Sequence, residues 1–76
     1  MKSRPTHKLN GLLVKMLREQ MKYNISEFAV IAGISRKALW NIENGRTPNP
    51  RLATLGALSQ ALGVDVSQLI FKVPTK

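Results

Sequence analysis

Seventy-six residues, with twelve lysines and arginines against four acids and a formal charge of +8, make one small and strongly basic domain. A chain this short buries only about 60% of its unfolded surface, so a single compact core is all it can build. It has no cysteine and one histidine, which excludes disulfides and a Cys/His metal site, while the charge favours a polyanion as partner, either nucleic acid or an anionic membrane surface.

Residues 1–5 read as a flexible basic arm, and His7, in the same basic lead segment, as a solvated side chain. A first helix is predicted from Thr6 or His7 to Met21, because Leu13, Val14, Leu17 and Met21 recur at helical spacing. Leu12 and Met16 widen that stripe, either as outer core or as a contact with another chain. Three later segments share one pattern: an apolar residue, a capping residue, three spacers and a second apolar residue. They are Tyr23-Asn24 with Phe28, Ile34-Ser35 with Leu39, and Val64-Asp65 with Leu69. Each places a hydrophobic staple around an N-cap, which sets helix starts near residues 25, 36 and 66. Glu27 after Asn24 and Gln68 after Asp65 complete capping boxes.

Asn49-Pro50 signals a further start, with Asn49 as cap and Pro50 at the first helical position, where no N–H is needed. That helix carries Leu52, Leu55, Leu58, Ala61 and Leu62 on its buried side and stops at Gly63. Gly45 ends the third helix, and Gly33 supplies a positive φ between the second and third. Strand signals are lacking apart from the apolar tail Ile70-Phe71-Lys72-Val73, which Pro74 interrupts. The expected architecture is all-α, a compact five-helix bundle over residues 6–71 with a C-terminal tail over 72–76.

The third helix has two faces. Leu39 and Ile42 point inward, and Ala38 is small enough for close approach to the second helix. Spacings of three and four put Arg36, Lys37, Trp40, Asn41 and Asn44 outside. Two cations, two amides and an indole, with no acid among them, suit the edges of base pairs: Arg and Lys donate to guanine O6 and N7, and Asn pairs with adenine N6 and N7.

The chain resembles the Cro/phage-repressor family of helix-turn-helix DNA-binding proteins (the xenobiotic-response-element type) over about residues 9–70. The residues that carry the likeness are Arg18, Phe28-Ala29, Gly33-Ile34-Ser35, Ile42-Glu43-Asn44-Gly45, Pro50, Leu55 and Leu62-Gly63-Val64. The resemblance implies a phage-repressor fold with the helix-turn-helix at helices 2 and 3. It implies that Arg36, Lys37 and Asn41 read base edges and that Asn44, Arg46 and Thr47 hold phosphates through backbone amides and side chains. It further implies that Arg51 either approaches the minor groove near an operator's centre or is a solvated helix-start residue. Arg18 and Glu43 match a partly buried salt bridge that joins the first helix to the third.

This sequence departs from the family at three positions. Ile25 stands where a phosphate-contacting Gln is frequent. Trp40 replaces a small polar residue, and packs on a thymine methyl or sugar or meets a protein partner. Lys22 stands where Gly commonly ends the first helix, which predicts a strained exit.

The acids are then all assigned: Glu27 and Asp65 to caps, Glu43 to the ion pair, and Glu19 to the first helix's surface near Lys22. No carboxylate is left for acid–base work and no Gly-rich phosphate loop is present, so neither an enzyme, a metal site nor a cofactor is expected. No apolar run approaches the ~20 residues of a membrane span.

The expectation is a sequence-specific, double-stranded-DNA-binding transcriptional repressor, working by occlusion as a homodimer on a palindromic operator with half-sites ~34 Å apart. Val66, Ile70, Phe71 and Val73 are the expected interface, although Ile70 and Phe71 could instead close the monomer core. An antitoxin that binds a toxin protein and autoregulates its operon is the alternative. A basic membrane-surface protein is weaker, because the first helix's apolar face is needed for the core. The expected location is the cytoplasm, nucleoid-associated, in a prokaryote or encoded by a phage.

Overall fold

The computed structural model describes residues 6–47 and 50–73, with side chains over 8–47 and 50–70. Five helices follow one another: α1 (Gly11–Gln20), α2 (Ile25–Ala32), α3 (Arg36–Glu43), α4 (Leu52–Leu62) and α5 (Val66–Leu69). Two short strands, β1 (Thr6–Leu9) and β2 (Ile70–Val73), frame them as an antiparallel pair in which Thr6 faces Val73 and Leu9 faces Ile70. The arm over residues 1–5, Asn49, the His7 side chain and residues 74–76 lie outside the described residues.

The helix starts follow the local chemistry. Asn24 accepts from the Glu27 N–H at 2.8 Å, and the Glu27 carboxylate accepts from the Asn24 N–H at 2.9 Å, a reciprocal capping box. Ser35 caps α3 through the Ala38 N–H at 3.0 Å. At α5 the Gln68 side chain accepts from the Asp65 N–H at 3.0 Å, while the Ser67 hydroxyl donates to Asp65 Oδ2 at 2.6 Å. The apolar members of all three staples reach the core: Phe28, Leu39 and Leu69 are fully buried, with Tyr23, Ile34 and Val64 packed against them. Between α2 and α3, Gly33 takes φ 74°, and the next residue's N–H returns to the Ala29 carbonyl at 3.0 Å, closing the turn.

The first helix corrects the sequence reading. Thr6–Leu9 is strand, and α1 begins at Gly11, capped by Asn10, whose side chain accepts from the Leu13 N–H at 3.1 Å. The Asn10 N–H donates to the Leu69 carbonyl at 2.7 Å, so the chain is already committed to a tertiary partner where helix was expected. Leu9 is buried in the core. Val14 is buried and Leu13 and Leu17 pack beside it, but Leu12, Met16 and Met21 are exposed, so the apolar stripe is narrower than its periodicity implied.

The start of α4 also differs. Arg51 occupies the N-cap position with no side-chain cap bond, so Pro50 precedes the cap instead of opening the helix. Leu58 and Leu62 are buried and Leu55 and Ala61 pack against the core, whereas Leu52, expected inside, is 79% exposed because it lies in the first turn, beyond the core's edge.

Two backbone features bear directly on stability. Lys22, which closes the α1 exit, has φ 68°, the left-handed conformation that costs an L-residue roughly 1–2 kcal/mol. Gly11 packs so tightly on α3 that an added Cβ would overlap the Ile42 carbonyl oxygen. Lys22→Gly is therefore expected to stabilise the domain by about 0.5–1 kcal/mol, a rise of several degrees in thermal midpoint by calorimetry. Gly11→Ala is expected to destabilise it toward the upper end of the about 1–3 kcal/mol typical of overpacking, because the obstructing atom is backbone; urea titration would measure it.

Candidate nucleic-acid interface

The mount for the outer face of α3 is built from charge buried beneath it. Arg18, on α1, forms a two-pronged bond with Glu43 at the end of α3: Nε to Oε2 at 2.7 Å and Nη2 to Oε1 at 3.0 Å. Its remaining Nη1 donates to the Tyr23 carbonyl at 2.7 Å, tying the α1–α2 connection to the same point. Both side chains are buried, and no buried side-chain polar atom among the described residues lacks a partner. The hydrogen bonds to Glu43 push the Arg18 pKa above the usual arginine range, against the opposing effect of burial, with the charges of Glu43 and Glu19 adding to the rise. Glu19 lies 4.0 Å from this guanidinium and is largely exposed.

With Leu39 and Ile42 buried, the opposite side of α3 faces solvent. Arg36, Lys37, Trp40 and Asn44 are exposed, together with Arg46 and Arg51 just beyond the helix, while Asn41 and Thr47 are half-buried. Thus Arg36, Lys37 and Asn41 line one side of the helix, and the eight side chains expected to meet DNA lie on or beside α3. Arg36 Nη1 donates to Ser26 Oγ, at the start of α2, at 3.2 Å, which uses one of five guanidinium donors and links the two helices across their outer side. The Arg46 guanidinium sits 5.2 Å from the centroid of the Trp40 ring, a cation–π contact that holds both groups over the C-terminal half of α3.

Two depressions open on this face. One, of about 320 Å³, is lined by Ile25, Ser26, Arg36, Lys37 and Trp40. The other, of about 480 Å³, lies where α3 meets α4 and includes Asn41, Thr47, Arg51 and Thr54 in its lining.

The backbone at the end of α3 is less available than the resemblance implied. The Asn44 N–H donates to the Trp40 carbonyl at 3.0 Å, Gly45 to Ile42 at 3.2 Å and Arg46 to Asn41 at 2.8 Å. The Asn44 side-chain amide also turns back to the Trp40 carbonyl, at 2.8 Å. These three amides serve the helix terminus, which leaves the exposed Arg46 side chain and the half-buried Thr47 beside it.

Of the expected interface residues, Val66 and Ile70 are half-buried, and Ile70 packs on the chain's own core. The Phe71 and Val73 side chains lie outside the described residues, although their backbone is part of β2.

Sequence reasoning missed Asn10, Gly11 and Ser26. The Asn10-Gly11 pair is a turn signal lying inside what was taken for a continuous helical pattern. Ser26 carries no signal, since only folding brings it to Arg36.

Two short helices across a glycine turn, the second presenting a cationic face free of acids, define a helix-turn-helix domain. The chain belongs to the Cro/C1-type helix-turn-helix family, which residues 14–69 match. The HTH-type transcriptional repressor RghR of Bacillus subtilis is 32% identical over 62 residues, covering 82% of this chain and 46% of that protein. The immunity repressor protein of Bacillus phage phi105 is 38% identical over 60 residues, covering 79% of this chain and 41% of the relative. Among solved structures, the Bacillus subtilis regulator SinR in complex with DNA superposes with a TM-score of 0.73 at 32% identity, covering 78% of this chain and 94% of the other. The chain spans less than half the length of the curated relatives it matches.

The geometry makes the Arg18–Glu43 pair separable from the outer face. Arg18→Met and Glu43→Leu are each expected to cost roughly 3–5 kcal/mol, because each strands a buried charge, while the double variant recovers much of that loss. A double-mutant cycle in urea measures the coupling, and additive losses would contradict it.

Proposed function

We propose that this chain is a sequence-specific, double-stranded-DNA-binding transcriptional regulator, acting as a repressor that covers promoter DNA. The observation that carries the proposal is the outward set Arg36, Lys37 and Asn41 on a helix whose rear is fixed by Leu39, Ile42 and Glu43. Such a helix enters the major groove by its N-terminal residues, where guanidinium, ammonium and amide groups match base-edge acceptors and donors. Support also comes from the relatives, two of them named as repressors and one solved on DNA.

Arg46, Thr47 and Arg51 are assigned to phosphates and to the minor groove flanking the reading helix, and Asn44 to closing that helix beside them. One recognition helix reads few base pairs, so the working form is a homodimer on a pseudo-palindromic operator with half-sites about 34 Å apart. Its interface is α5 and the β2 tail: Val66, Ile70, Phe71 and Val73.

Arg36→Ala and Asn41→Ala are each expected to weaken operator binding by about 1–3 kcal/mol and to relax the preferred base at one position. Arg46→Ala is expected to weaken all duplexes alike and to lower the salt slope by about one unit. Titrations of operator and random duplex at several salt concentrations check both; equal loss on the two duplexes for Arg36→Ala would refute its role.

A further inference from the structure

Arg46 is held at both ends. Its backbone N–H donates to the Asn41 carbonyl at 2.8 Å, and its guanidinium lies 5.2 Å from the centroid of the Trp40 ring. The two residues are six positions apart, a spacing at which side chains on one straight helix do not meet. They meet because Gly45, at φ 75°, turns the chain back across the end of α3. Trp40 is anchored in turn, since its carbonyl accepts from the Asn44 N–H at 3.0 Å and from the Asn44 side-chain amide at 2.8 Å. Among the described residues no carboxylate pairs with Arg46, so the indole is the group that orders its guanidinium.

The attraction of a guanidinium to an aromatic ring is electrostatic and engages no oxygen or nitrogen acceptor, so the N–H donors stay open to an anion. An arginine that is free in solution loses its rotamers on binding, which weakens the complex; one already ordered in the unbound protein loses fewer. Trp40 is 44% exposed, so this large side chain is not explained by the core. We infer that Trp40 is a positioning residue for DNA binding. It acts through Arg46, holding the guanidinium in advance where a backbone phosphate reaches the C-terminal end of α3. This rests on the proposed binding of duplex DNA by α3, and it gives the indole no base or sugar of its own to contact. Its effect is therefore the same on every sequence.

The test is a double-mutant cycle on the full chain, read as Kd for a random duplex and for a duplex the protein itself selects from random DNA. Trp40→Ala is expected to weaken both about fivefold, the ordering cost of one flexible side chain. Trp40→Phe, which keeps a ring face, is expected to retain most of the affinity. In an Arg46→Ala background Trp40→Ala is expected to change neither Kd, because the group it positions is gone. A purely structural role would survive in that background, and so would a direct contact of the indole with DNA. Additive losses, a loss confined to the selected duplex, equal losses for Phe and Ala, or no loss at all overturn the inference while leaving DNA recognition standing. A wild-type protein that binds neither duplex overturns the DNA-binding proposal itself, and the role of Trp40 with it.

Discussion

The arrangement of this domain depends on one buried ion pair. Arg18 and Glu43 lie 25 residues apart in sequence, and their two-pronged contact, with the third bond to the Tyr23 carbonyl, joins α1, the α1–α2 connection and α3 at one point. An isolated helix of eight residues has no stability of its own in water, so the direction in which α3 points is decided by what it packs on. Leu39 and Ile42 supply the burial. Apolar residues in place of the ion pair could fill the same space as well or better. What the bidentate bond adds is a directional contact at the last turn of a two-turn helix. The same pairing removes the one acid of α3 from the surface, so that no carboxylate of that helix competes for the outward cations.

That outward surface has a character of its own. The amides of Asn44, Gly45 and Arg46 are spent on closing the helix, and two side chains, Asn44 and Trp40, are drawn into local contacts. Attraction to an anion therefore falls mainly on long cationic side chains, which act at a distance and are screened by salt. Against this, Trp40 and Ile25 introduce apolar area beside the cations of Arg36 and Lys37.

Much of the fold was legible in the sequence because it is written in local contacts. The caps at Asn24, Ser35 and Asp65 join groups three residues apart, and the staples join groups five apart, so a linear reading captures them. The inner face of α3 followed from spacing alone. What escaped the reading is non-local. Thr6–Leu9 is strand because Ile70–Val73 lies beside it, a partner from the opposite end of the chain that no local pattern announces. Leu52 obeys the helical period yet stays in solvent, since periodicity says which residues share a face and not where the core ends. The exit at Lys22 was expected to be strained because glycine is missing there, and φ 68° is the form that strain takes. The partnership of Arg18 with Glu43 came from family resemblance, for no rule of spacing links two positions so far apart. The link from Ser26 to Arg36 had no signal at all.

The antiparallel ladder also has a topological outcome. Because Thr6 stands opposite Val73, the point where the backbone enters the domain and the point where it leaves adjoin each other. The five helices form a loop whose two mouths open at one seam. Any polypeptide joined upstream of β1 starts beside any joined downstream of β2, so a tether at either end pulls on the same seam. Tension there loads the strand pair first and, because Leu9 and Ile70 belong to or pack on the core, passes from the seam into the helices.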